Sequence, residues 1–200
     1  MPTIPPASDH PATWRFGYPV FHPRSRDEWR TWLADNHRSL KGVWLCSWRT
    51  GVEGERCLYP DAVEEAISFG WIDSTKALLD ERRNLQLFTP RKPKSSWTRL
   101  NRRRAQEMEA AGLMTDAGRA SIEVAKANGW WTIYDAVEDL IEPDDLKAAL
   151  DRDPSARAHW DSVTPSTRKL MLWQVISAIK PETRARRIEQ IVNAASASQL

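Results

Sequence analysis

The residues whose types and spacing could do chemistry lie in one stretch, Phe88-Thr89-Pro90-Arg91-Lys92-Pro93-Lys94-Ser95-Ser96-Trp97-Thr98-Arg99-Leu100-Asn101. The pattern reads as a strand running into a proline-bounded cationic turn, after which Ser95 or Ser96 opens a helix. A helix amino terminus carries about half a positive charge and prefers acids. This one instead receives Arg91, Lys92 and Lys94, and Arg99 follows in the first turn with no acid. Such a terminus repels itself unless an anion fills it, where backbone N–H groups, hydroxyls and a guanidinium converge. Arg91, Lys94, Ser95, Ser96 and Asn101 are the residues that would hold the anion. Two alternatives stand beside an external ligand: acids from within the fold answer the block, or the lysines simply point apart into solvent.

Other chemistry is thin. The chain has no nucleophile elbow, phosphate-binding loop, zinc-protease helix or dinucleotide fingerprint. Its histidines, His10, His22, His37 and His159, are scattered, and no metal and no cofactor is expected. Cys46 and Cys57 have neither ligand spacing nor a disulfide framework, and both are expected as free thiols. An enzyme would have to use carboxylates, and Asp73 is the one weak catalytic candidate, as acid or base beside an arginine clamp.

Charge is segregated. Nine arginines and lysines lie between Arg82 and Arg104 with no acid among them, whereas Asp135 to Asp153 holds eight acids against Lys147 and Arg152. The net charge is only +2, short of the usual basic footprint of a nucleic-acid binder. Eleven tryptophans against four phenylalanines and three tyrosines is an inverted ratio. They either fill a core or serve as stacking and anchoring surfaces. No apolar run exceeds four residues, so no membrane insertion is expected. The first residues lack the charge and apolar stretch of a secretory signal, and the expected location is cytoplasmic.

The elements that must position these residues follow from periodicity and punctuation. Six of the 13 prolines fall within residues 1–23, which predicts a proline-rich arm over 1–22, irregular before Phe21. Ser25 and Glu28 read as a capping box for a helix ending near His37. Val43 to Arg49 alternates as a strand, Pro60 opens a helix that Gly70 stops, and residues 71–80 and 84–89 read as an antiparallel hairpin. After Pro90 the pattern is helical, with Thr115 capping one helix and Pro143 and Pro165 at first helical positions. The fold class is α+β: a small antiparallel sheet with an inserted helix, followed by a helical carboxy-terminal half. Residues 23–112 form the α+β domain, and 113–200 form a helical region that is either separate or continuous with it. The sequence does not set the oligomeric state.

Phe69-Gly70-Trp71-Ile72-Asp73, followed by Thr89-Pro90-Arg91 and Ser95-x-Trp97-Thr98-x-x-Asn101, resembles the YdeI/OmpD-associated family, also labelled bacteriocin-protection proteins. Gly112-Leu113-Met114 with Ala117-Gly118, Ala125-Lys126 with Gly129, and Thr183-Arg184-x-x-Arg187-Ile188 extend the resemblance over roughly residues 21–195. Thr98 stands where the family tends to have serine, which keeps a hydroxyl. The resemblance implies a helical carboxy-terminal domain and, by the family's label, protection that works through a protein partner. Trp71, Asp73, Trp97 and Arg184 are expected to line a cleft beside the turn, with Asp73 otherwise a salt-bridge partner of Arg91 or Arg184. Three functions follow: a non-enzymatic protein binding an anionic small molecule or nucleic acid, an enzyme using Asp73, or a protection protein with tryptophan anchors.

Overall fold

The computed structural model describes residues 9–198, which form two compact units: 9–95 with 99–130, and 96–98 with 131–198. In the first unit a four-stranded sheet has the order β1-β2-β4-β3, with β1 Val20–Phe21, β2 Val43–Trp48, β3 Trp71–Leu78 and β4 Arg83–Pro90. The expected hairpin is present, β3 and β4 pairing antiparallel, and β4 also pairs antiparallel with β2. One strand was not anticipated. β1 pairs parallel with β2, Val20 opposite Trp44, so the sheet is mixed rather than wholly antiparallel. Pro19 and Pro23 flank this two-residue strand and have no amide hydrogen to extend the ladder.

The arm is therefore part of the fold where it is described; Pro2, Pro5 and Pro6 lie outside the described residues. It stays irregular before Val20, with a 3-10 turn at Arg15–Gly17, and covers one face of the sheet. There Val20, Trp44, Cys46, Leu85 and Leu87 form a buried cluster against which Trp14 and Tyr18 pack. The Trp44 indole donates to the Arg15 carbonyl at 2.9 Å. β2 is consequently buried on both faces.

Helices cover the other face. Ser25 caps α1 (Arg26–Asn36) by accepting the Glu28 N–H, as its sequence predicts, while the Glu28 carboxylate reaches back to the Arg24 N–H at 2.8 Å. α2 (Tyr59–Ser68) is the inserted helix, and the Trp29 indole of α1 donates to its Ala62 carbonyl at 3.0 Å. α3 (Arg99–Ala110) and α4 (Asp116–Ala127) complete the unit, Thr115 capping α4 as expected.

Gly70, between α2 and β3, has φ +72°, and a Cβ there would stand 2.8 Å from the Ala117 carbonyl oxygen. Left-handed backbone alone costs an L-residue about 1–2 kcal/mol. Gly70→Ala should therefore destabilise the protein by more than about 1 kcal/mol in urea unfolding. An unchanged midpoint would mean that the chain relaxes freely at this motif position.

In the second unit α5 (Asp135–Glu138), α6 (Asp144–Asp151), α7 (Pro154–Ser162), α8 (Pro165–Ile176) and α9 (Pro181–Ser196) surround a core of Val137, Leu146, Leu150, Trp160, Leu172, Val175 and Ile191. Pro165 occupies a first helical position as expected, whereas Pro143 is the residue before α6. Many acids of the 135–153 block are used inside this unit. Glu142 accepts from Arg157 at 2.7 and 2.8 Å, and this pairing holds its carboxyl below the ordinary range. Asp153 caps α7 and is pulled down to about 2, first by the Ser155 hydroxyl and then by Ser196.

Candidate functional site

The register of the hairpin assembles the first part of the site. Trp71 lies opposite Pro90 and Asp73 opposite Phe88, so Trp71 and Asp73 share a face as their spacing predicts. The chain leaves β4 with the Arg91 N–H bonded to the Gly70 carbonyl at 2.9 Å, which sets Arg91 beside the start of β3. Two guanidinium nitrogens of Arg91, Nε and Nη2, are shut off from solvent. Burial pushes the guanidinium down to about 9, and the carboxylate of Asp73 opposes that shift. Asp73 in turn accepts the Tyr59 hydroxyl at 2.6 Å. Burial, and then this bond, push the Tyr59 phenol up to about 12, so it stays a neutral donor.

The next four residues form a tight turn. The Ser95 N–H donates to the Lys92 carbonyl at 2.9 Å, and the Ser95 hydroxyl accepts the Lys92 N–H at 3.1 Å. Pro93 holds the second turn position, where its fixed φ fits, and the Asn128 amide clamps its carbonyl at 2.6 Å. Lys92 and Lys94 are exposed on this braced turn, and among the described residues neither forms an ion pair.

One expectation is overturned here. The helix opens at Arg99, not at Ser95 or Ser96. Ser95 closes the lysine turn with both its N–H and its hydroxyl, and cannot also start a helix. The cationic feature is thus a braced loop rather than a helix amino terminus.

The remaining site residues belong to several elements of the two units. Trp71 is a core residue, 1% exposed, its indole donating to the His37 carbonyl at 3.3 Å. The side-chain oxygen Oδ1 of Asn101 accepts from Arg104 within α3. Ser96 and Trp97 belong with the second unit, where the buried Trp97 ring lies 4.9 Å from Trp131. Arg184 is also in that unit, bonded to Asp145 at 2.6 and 2.9 Å and to the Val175 carbonyl at 2.9 Å. With Arg187, which donates to the Gln174 carbonyl, it ties α9 to the end of α8. The Thr-Arg-x-x-Arg-Ile string thereby acquires a structural meaning, since Ile188 belongs to the core between them.

Sequence reasoning missed two features. Glu65, only 1% exposed, is held by Arg26 and by Arg30, each at 2.6 Å. The signal was an acid on the apolar stripe of α2 and two arginines one turn apart on α1. His10 and His22, far apart in number, have rings 6.4 Å apart. Even so, among the described residues no group of three or more His, Cys, Asp or Glu is placed to hold a metal. Both cysteines are free and buried, and burial pushes each thiol up to about 12, which suits packing rather than nucleophilic attack. Six tryptophans are buried, five are half-buried and none is exposed.

These features define a class: an α+β unit with a mixed sheet and a braced cationic loop, joined in one chain to a helical unit with an arginine-tied last helix. Residues 139–197 match the family model described as Bacteriocin-protection, YdeI or OmpD-Associated, and residues 21–121, just over half of the chain, match the model described as a domain of unknown function, DUF8412, the family to which the chain belongs. The Phe-Gly-Trp-Ile-Asp and Thr-Pro-Arg strings fall within the second of these matches, the Thr-Arg-x-x-Arg-Ile string within the first. No curated protein and no solved structure matches the chain.

Proposed function

We propose that this is a non-enzymatic binding protein that holds an anionic ligand at the loop from Arg91 to Ser95. The observation that carries the reading is the pair of exposed lysines, Lys92 and Lys94, on a turn fixed by Pro93, Ser95 and Asn128. Ordering the loop in advance removes part of the entropy cost of gripping a ligand. Arg91 stands at the start of the loop, with Nε and Nη2 shut off from solvent. The Asp73 carboxylate favours the charged form of that guanidinium, and in this reading it takes no part in catalysis. We also place the protein in the cytoplasm, in keeping with two buried cysteines that remain thiols.

The test is calorimetric titration with inorganic pyrophosphate at low ionic strength. The parent protein should bind, and the Lys92→Ala/Lys94→Ala double variant should bind roughly tenfold more weakly with an unchanged melting temperature. Both lysines are exposed, so the variant isolates charge from folding. Absence of binding by the parent, or equal binding by the variant, would overturn the reading. An oligonucleotide distinguishes the ligand class, since its affinity should fall steeply with salt if it neutralises several cations.

A further inference from the structure

We propose a second ligand site in the first unit, a cleft of about 490 Å³ that takes a small organic anion with a compact apolar body. The cleft lies where β2, β3 and β4 meet the start of α2, and its volume is within the range that holds a small metabolite. Its lining includes two cations, Arg56 and Lys76, and no carboxylate. Leu58, Ala77 and Leu85 supply the apolar surface.

The placement of the cations follows from an irregularity in the sheet. Pairing of β3 with β4 shifts register between Asp73 and Lys76, which is a β-bulge on the edge strand. Bulges re-aim side chains and recur beside binding sites. Gln86, 8% exposed, fills the break: its amide donates to the Ser74 carbonyl at 3.1 Å and to the Thr75 carbonyl at 3.5 Å. Beyond the bulge Lys76 resumes pairing, opposite Gln86, and its ammonium sits 5.2 Å from the centre of the Tyr59 ring. Arg56 is positioned by two carbonyls, of Trp48 and Arg49. Neutral acceptors fix a guanidinium in place without cancelling its charge, so a carboxylate or phosphate can still pair with it. Asp73, whose carboxylate accepts the Tyr59 hydroxyl, is not among the lining residues. Two cations beside the apolar surface of Leu58, Ala77 and Leu85 favour an anion attached to an apolar body over a bare inorganic ion.

Benzoate and phenyl phosphate are suitable probes, with inorganic phosphate as the bare anion, followed by amide shifts of Lys76 and Gln86. Both organic probes should bind and shift those amides. Lys76→Glu should weaken them roughly tenfold or more, and Lys76→Arg should retain them. Lys76 is exposed, so neither variant removes a core contact. The Lys92→Ala/Lys94→Ala protein should bind these probes at the cleft like the parent, which separates this site from the loop. Failure of both probes to shift the two amides would overturn the proposal. So would equal binding by Lys76→Glu, or inorganic phosphate binding there as tightly as phenyl phosphate.

Discussion

Glu65→Ala is expected to cost about 3–5 kcal/mol of stability, the usual penalty for breaking a buried ion pair from one side. The carboxylate is 1% exposed on the buried stripe of α2, and Arg26 and Arg30 of α1 each reach it at 2.6 Å. Arg26 would keep Glu64 and Asp61 as partners, at 2.9 and 3.3 Å. Arg30 would keep the Leu113 carbonyl at 2.9 Å and the Phe69 ring, whose centre lies 5.3 Å from its guanidinium carbon, but no carboxylate among those described. The loss therefore falls mainly on Arg30, left facing the space that the carboxylate vacated. Glu65→Gln should cost less, because the amide retains one acceptor. Urea unfolding followed by circular dichroism reads the difference, and a cost below about 1 kcal/mol for the alanine variant would contradict this account of how α1 and α2 are joined.

A loss of similar size is expected in the second unit from Trp160→Ala, about 3–5 kcal/mol for a fully buried aromatic. Trp160 contributes from α7 to the core formed with Leu146, Leu150, Leu172 and Ile191. Its indole also donates to Glu142 at 2.8 Å, the carboxylate that Arg157, one turn earlier on the same helix, also holds. Trp160→Phe separates the two contributions. It keeps the larger part of the apolar volume while removing the N–H and a smaller part of the ring, so it should cost about 1.5–3 kcal/mol. Equal losses for alanine and phenylalanine would assign the residue's importance to the hydrogen bond rather than to packing.

Local signals in the sequence located most of the elements. Ser25, Thr115 and Pro165 mark helix starts because capping and fixed φ act within one turn of the chain. Residues 43–48 read as a strand although β2 is buried on both faces, since helices cover one face of the sheet and the amino-terminal arm the other. What could not be read depended on tertiary contact. The parallel strand at Val20–Phe21 lies among prolines that argue against a strand, and it forms because β2 offers it an open edge. Ser95 looks like a helix cap in sequence, but its N–H and hydroxyl are both engaged by Lys92. Gln86 gives no sign in sequence that it bridges a bulge, since the break lies on the neighbouring strand. Arg184 reads in sequence as a cleft-lining residue or a salt-bridge partner of Asp73, whereas folding brings Asp145 to it from another helix.

The same logic limited the reading of the site. Runs of like charge show where a field is positive, but not which side chains the fold consumes. Of the basic block, Arg83 is taken by Asp80 at 2.6 Å, and Arg103 and Arg104 reach Glu107 and Glu64 at 3.5 and 4.0 Å. Lys92 and Lys94 retain an exposed charge on a loop whose shape is already set.

The most direct test of the anion-binding account is a pyrophosphate titration of the isotope-labelled full chain, followed by backbone amide shifts. The account predicts saturable shifts centred on Lys92, Lys94 and Ser95, reduced throughout in the Lys92→Ala/Lys94→Ala protein. Saturating pyrophosphate that leaves these amides unmoved, or moves only amides elsewhere in the chain, would contradict it.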